Sequence, residues 1–462
     1  IKGVFFMDFL KLLNSIDSII WGPPLLVLLV GTGIYFTIRL GLIQIVKLPK
    51  ALKLIFKAEN NGSGDISSFG ALCTALAATI GTGNIVGVAT AIKAGGPGAL
   101  FWMWLAAFFG MATKYSEGLL AIKFRTKDSK GQVSGGPMYY IVNGMGQKWK
   151  PLAIFFAISG ILVALLGIGT FSQVNSITDA VNSSFGISPK IVAVILAVLV
   201  ALVVFGGLQS ISNVSTKIVP FMTVAYIAIC LVILVSSYNL IPQTFALIFK
   251  GAFTGQAAAG GFLGATVAMA IRNGIARGVF SNESGLGSAP IAAAAAKTQW
   301  PAEQGLISMT GTFIDSIIIC TLTGVSLIIT GVWQGDLNGA VMTQAAFASV
   351  LPNIGPLFLT VSLSLFAFTT ILGWSYYGER CFEFLFGANK INIFRCLFVA
   401  MVLLGGFLKL EMVWVIADIV NGLMALPNLI ALLALSPVVV SETKLYMDNL
   451  KSLNKSQNQH II

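Results

Sequence analysis

Along this chain, apolar residues run in stretches of about twenty or more, broken by short polar interruptions, from Trp21 almost to Ser436. That length lets a helix cross roughly 30 Å of hydrocarbon, whereas a water-exposed helix would show polar residues on one face. The runs predict spans at 21–42, 67–95, 99–124, 152–181, 191–206 and 218–236, with others beginning near 261, 305, 356, 393 and 413. The expected class is therefore an all-α integral membrane protein of about eleven transmembrane helices. The first apolar piece, 4–20, is interrupted by Asp8, Lys11 and Asp17 and reads as an interfacial helix, with the residues before Met7 as a leader or an artificial addition.

Composition agrees with a lipid solvent. Of 462 residues, 56% are hydrophobic and 10% charged, which is more apolar surface than a soluble core of this length could bury. The net charge of +11 forms no continuous basic face, so topology explains it and nucleic acid is not an expected partner. Lys47, Lys50, Lys53 and Lys57 follow the first span, and Lys123, Arg125, Lys127, Lys130, Lys148 and Lys150 follow the third. Cations concentrate on the cytoplasmic side, which predicts a cell-membrane protein with its N-terminus outside and its C-terminus cytoplasmic. The five cysteines show no CxxC spacing, and the single histidine, His460, sits in the polar tail, so disulfide, zinc and enzymatic readings lose ground.

Setting the first span aside leaves two groups of five, each opening on a Gly-rich interruption: Ala77 to Asn84 in one, Phe280 to Gly287 in the other. An odd number per group makes the second copy enter from the opposite side, the pattern of a 5+5 inverted repeat with two broken helices. The expected divisions are 1–65, with the interfacial helix, first span and linker; 66–240, the first repeat; 241–437, the second; and 438–462, a polar cytoplasmic tail.

A helix broken in lipid leaves donors and acceptors exposed at several kcal/mol each unless something takes them. Beyond Thr82 and Gly83, the half-helix N-terminus suits a carboxylate, and carbonyls freed at Ala77, Thr79 and Ile80 suit a cation. Close packing of helices through small residues is the other reading of Gly81, Gly83 and Gly87. Glu283, beside Asn282, is a carboxylate at membrane depth that a substrate amine, a coupling ion or Arg277 could compensate. Asp315 is a second, fit for a hard cation or for a helix-capping role. Thr369 and Thr370, after Phe366, could complete a sodium cage or bond back to their own helix. Phe171, Gln173 and Asn175 offer an aromatic wall and amides, or helix-to-helix hydrogen bonds, and Trp374 could close a pocket from below or sit there as an interfacial Trp.

These residues resemble the alanine or glycine:cation symporters, a family with the leucine-transporter type of inverted-repeat fold. The likeness lies in Gly81 to Ala89, Gly95 to Ala99, Phe101 to Trp104, Gly135 to Tyr140, Arg277 to Glu283, Gly285 to Pro290 and Gly373 to Glu379. The resemblance implies a substrate carboxylate on the N–H groups of Thr82 and Gly83 and an ammonium on carbonyls of Thr79, Phe280 and Ser281. The implied pocket also includes Ile80, Gly81, Phe171, Gln173, Asn282, Glu283 and Trp374. It implies sodium as coupling ion between the Ala77, Ile80 and Phe366 carbonyls and the Thr369 and Thr370 hydroxyls, and a second sodium near Thr79, Asn84, Ser281 and Asp315. Glu283 departs from the small hydroxyl residue the broader fold usually carries. The expected function is sodium-coupled symport of alanine or glycine. The alternatives are proton coupling through Glu283 or Asp315, an intramembrane hydrolase built on those carboxylates, and a channel.

Overall fold

The computed structural model describes residues 2–57, 62–254, 266–407 and 410–459, and they are almost wholly helical. One two-stranded antiparallel hairpin, Thr126–Lys127 with Val133–Ser134, is the exception in a loop. Among the described residues seven helices are long and apolar enough to cross a membrane, or eight if the bent pair Ser68–Thr79 and Gly83–Gly95 counts as one span. The outward faces are apolar: Ile191, Val194, Ile195, Val198 and Leu202 project from Pro189–Val204, and Phe221, Val224 and Val235 from Gly207–Ser236. Such ridges suit hydrocarbon, where no water is present to penalise them.

Several boundaries differ from the apolar runs. The expected span 152–181 is two helices, Lys150–Leu166 and Phe171–Phe185. Between them Gly167 and Gly169 lie so close to other atoms that side chains would collide: a Cβ on Gly169 would sit 2.9 Å from the Trp374 Cβ. The span expected from Gly261 starts, among the described residues, with Val267–Asn282; Gly261 itself lies outside them, as does His460. Two shorter helices, Ile241–Phe253 and Gly339–Val350, were not expected because they are too short to register as spans. The polar tail forms a helix, Ser436–Gln459, docked by Tyr115 on Thr443 (2.8 Å), by Lys123 on Glu442 (2.7 Å) and by Lys50 over the Tyr446 ring.

At one end of Gly355–Phe386, Arg380 is buried among Glu379 (2.8 Å), Glu383 (2.5 Å) and Asp128 (3.7 Å), and Arg395 meets Glu379 from outside at 2.6 Å. Ser134 donates to Glu383 at 2.8 Å, which ties the hairpin to the helix. Replacing Arg380 by Met leaves Glu383 and Asp128 buried without a cation, while Glu379 keeps Arg395, a loss of about 3–5 kcal/mol. The expected result is a melting midpoint several degrees lower for the detergent-solubilised protein, with Arg380→Lys in between; an unchanged midpoint would show that the network contributes nothing to stability.

Candidate functional site

The helix Ser68–Thr79 begins on Ser67, whose side chain accepts the Gly70 N–H at 3.0 Å, and stops where Ile80 turns extended (φ −75°, ψ 93°). The chain resumes in a wide turn, Gly83–Gly87, and continues as Val88–Gly95, with the axis bent by 50°. Glycine is required at two positions by close approach. A Cβ on Gly81 would fall onto the Thr370 hydroxyl, and one on Gly83 would lie 3.0 Å from the Ser281 Cα. The two interruptions therefore meet. Freed N–H groups find side chains: Gly81 donates to Asn84 Oδ1 (2.9 Å) and Thr82 to Gln173 Oε1 (3.4 Å). The Thr82 hydroxyl and the Gln173 amide nitrogen are buried with no hydrogen-bond partner, an arrangement that normally costs about 1–3 kcal/mol per group.

Opposite, Val267–Asn282 ends at Glu283, which adopts the left-handed conformation (φ 57°) rare for a residue with a side chain, and the helix resumes as Ala289–Ala293. Side chains from neighbouring helices take up the open backbone. Lys114 donates to the Asn282 carbonyl at 2.8 Å, and Glu117 accepts from the N–H groups of Gly285 (3.1 Å) and Gly287 (3.2 Å) and from Asn428 (2.7 Å). Glu283 accepts from Ser288 (2.5 Å) and from the Trp374 indole (2.9 Å). All of these side chains are buried. Lys114, Glu117 and Asn428 were missed in the sequence. A Lys and a Glu three residues apart inside the apolar run 99–124 were the available signal, because charges at membrane depth are rare and purposeful.

A third node is Asp315, on the helical stretch that follows Pro301–Thr312. Its carboxylate accepts from Asn84 (2.7 Å), Ser281 (2.9 Å) and Ser316 (2.8 Å), so it joins both breaks. Asn282 donates in turn to Ser316 at 2.9 Å. On Gly355–Phe386, the Thr369 and Thr370 hydroxyls both donate to the Phe366 carbonyl (2.9 and 3.0 Å), and Thr370 also lies 3.5 Å from the Ile80 carbonyl.

Not everything converges. Thr79 turns its hydroxyl back to Ala75 (3.2 Å) on its own helix, so among the expected second-ion group only Asn84, Ser281 and Asp315 have side chains in mutual contact. Arg277 does not pair with Glu283: it grips Asp418 with two hydrogen bonds (2.9 and 2.7 Å) and lies over the Phe280 ring. The helix direction explains this, since Arg277 precedes the break by more than one turn. With Arg272, Asp17, Trp21 and Asp418 it lines a separate cavity of about 480 Å³. Ala77 is buried within the helix Ser68–Thr79, and Phe171 lies where a Cβ on Gly405 would touch it.

A profile of the sodium:alanine symporter family matches residues 7–460. The chain belongs to that family. It is similar to the sodium/alanine symporter AgcS of Methanococcus maripaludis, with 53% identity over 98% of this chain and 100% of the relative. A Haemophilus influenzae transporter is 56% identical, covering 98% of this chain and 99% of its own length. Among solved structures, MhsT in complex with L-phenylalanine superposes with a TM-score of 0.57 at 12% identity, over 83% of this chain and 99% of the other, which is a likeness of fold. As a member of the sodium:alanine symporter family the protein is a multi-pass membrane transporter, an amino-acid:cation symporter, and not an enzyme.

Proposed function

We propose that this transporter moves a small neutral amino acid, alanine or glycine, together with sodium by alternating access between the two faces of the membrane. The observation that carries the reading is the meeting of the two helix breaks at Gly83 and Ser281, with unpartnered buried polar atoms on Thr82 and Gln173 beside them. A zwitterion is complementary to such a place: its carboxylate answers the N–H groups and helix N-terminus at Thr82 and Gly83, and its ammonium answers carbonyls of Thr79, Phe280 and Ser281. Ile80, Gly81, Phe171, Gln173, Asn282, Glu283 and Trp374 complete the pocket. Sodium, a hard cation, takes the Ala77, Ile80 and Phe366 carbonyls and the Thr369 and Thr370 hydroxyls, and a second sodium takes Asn84, Ser281 and Asp315 near Thr79.

The relative named a sodium/alanine symporter supports both the ion and the substrate. Ion binding stiffens the broken helices, so that substrate affinity and ion occupancy are coupled. One charge moving down 100 mV supplies about 2.3 kcal/mol, enough for roughly 40-fold accumulation of a zwitterion. The reading includes about eleven spans with two inverted five-helix repeats at 66–240 and 241–437, an N-terminus outside and a cytoplasmic C-terminus. Arg277 with Asp418 then closes the outer side.

The test is uptake of labelled alanine and glycine into liposomes holding the purified protein. An inward sodium gradient is expected to drive saturable accumulation that potassium does not replace. Accumulation driven by a proton gradient and indifferent to sodium would instead assign the coupling to Glu283 or Asp315.

A further inference from the structure

Lys114 is a charge the proposed transport cycle has not used. It sits within the 26-residue helix Gly98–Lys123, its side chain is almost wholly buried (2% exposed), and its amine donates to the Asn282 carbonyl at 2.8 Å. Three buried carboxylates belong to the same cluster: Glu117 three residues on in the same helix, Glu283 next in the chain to Asn282, and Asp315 joined to Asn282 through Ser316. Glu117 and Glu283 hold the second break, and Asp315 bridges the two breaks. One ammonium is thus set against three carboxylates, all of them buried away from bulk solvent. A carbonyl at a helix end needs only a neutral donor, and an Asn, Gln or Ser could supply it. A lysine brings a charge as well, and desolvating that charge is unfavourable unless the charge is used.

We propose that the Lys114 ammonium is a tethered cation that balances these carboxylates once sodium and substrate have left, and so allows the unloaded carrier to return. The inference rests on the sodium-symport reading above. When the carrier is loaded, the second sodium brings positive charge to Asp315 and the substrate ammonium brings it to the pocket that Glu283 lines. After release both diffuse away, while a cation on a side chain cannot. Net uptake requires the unloaded carrier to reorient; exchange of internal for external substrate, with sodium on both sides, involves only loaded forms. Removing the charge should therefore separate two transport modes that a purely structural residue would lower together.

The experiment compares Lys114→Gln, Lys114→Met and Lys114→Arg with the unaltered protein in liposomes, measuring sodium-driven net uptake of alanine and alanine–alanine exchange at saturating sodium on both sides. Gln retains a donor for the Asn282 carbonyl without the charge, and Arg retains both. The expected result for Gln is net uptake lower by on the order of 100-fold, the effect of stranding a buried charge, with exchange within about threefold of the unaltered protein; Met, which also removes the donor to the Asn282 carbonyl, should lower net uptake at least as far. Arg should keep both modes. Equal loss of both modes, or normal net uptake with Gln, would overturn the proposal, and so would failure of both neutral variants to fold as judged by melting in detergent. A failure of the symport reading itself looks different: exchange by the unaltered protein would then not require sodium.

Discussion

The Thr369→Ala, Thr370→Ala double variant is expected to require far more sodium than the unaltered protein for half-maximal uptake. Both hydroxyls sit on the Phe366 carbonyl, and Thr370 reaches to 3.5 Å from the Ile80 carbonyl, so four oxygens from two helices gather at one place. The bond of each hydroxyl back to its own helix leaves its lone pairs available to a cation, so back-bonding and ion binding do not compete for the same electrons. An oxygen facing a charge is worth about 1.5–3 kcal/mol, and every 1.4 kcal/mol is a factor of ten. Losing two should raise the sodium requirement by at least about 100-fold. A sodium titration of alanine uptake in liposomes reads this directly, with melting in detergent as the check on folding. If a folded double variant keeps the original sodium requirement, the ion binds elsewhere and the hydroxyls serve only their own helix.

Asp315→Ala should lose substrate binding almost completely. Three donors from three different stretches of chain, Asn84, Ser281 and Ser316, end on this one carboxylate. Each donor left buried without an acceptor costs about 1–3 kcal/mol. Asn84 also accepts the Gly81 N–H, so its displacement would reshape the first break where a carboxylate would bind. Asp315→Asn is no remedy, because an amide offers only one acceptor oxygen and turns two donors towards groups that already donate. Equilibrium binding of labelled alanine should fall by at least about 100-fold in both variants. Binding within a few-fold of normal in either would mean that the two breaks are held together by something other than this node.

The class of this protein, its two Gly-rich breaks and several of its buried polar positions were legible from local features. A run of apolar residues needs no tertiary information to demand lipid, because the free energy of transfer is a property of the segment itself. A break likewise shows itself: Gly81 and Gly83 in one apolar stretch, and the run from Asn282 to Gly287 in another, cannot continue a lipid helix quietly. Thus Asp315, Thr369 and Thr370 stood out as polar groups at a depth where polarity is costly, the family resemblance implied Asn84 and Ser281, and the structure brings Asn84, Ser281 and Asp315 together in contact. By the same rule Lys114 and Glu117 are equally visible charges at membrane depth, on a helix that has no interruption.

Partners were another matter. Nothing in the spacing of Arg277 said that its guanidinium would reach Asp418, 141 residues along the chain, and not the carboxylate six residues away. The break at Gly167 and Gly169 follows from the approach of Trp374, and the junction of the two interruptions from the absence of side chains at Gly81 and Gly83 where other helices press close. Periodicity and transfer energy belong to each segment alone, so the sequence by itself determined the all-helical membrane class and the two Gly-rich breaks near Gly81 and Gly285. Pairing depends on which surfaces meet once the segments pack, and it was therefore the tertiary structure that decided which donor satisfies which carbonyl and which carboxylate each cation faces.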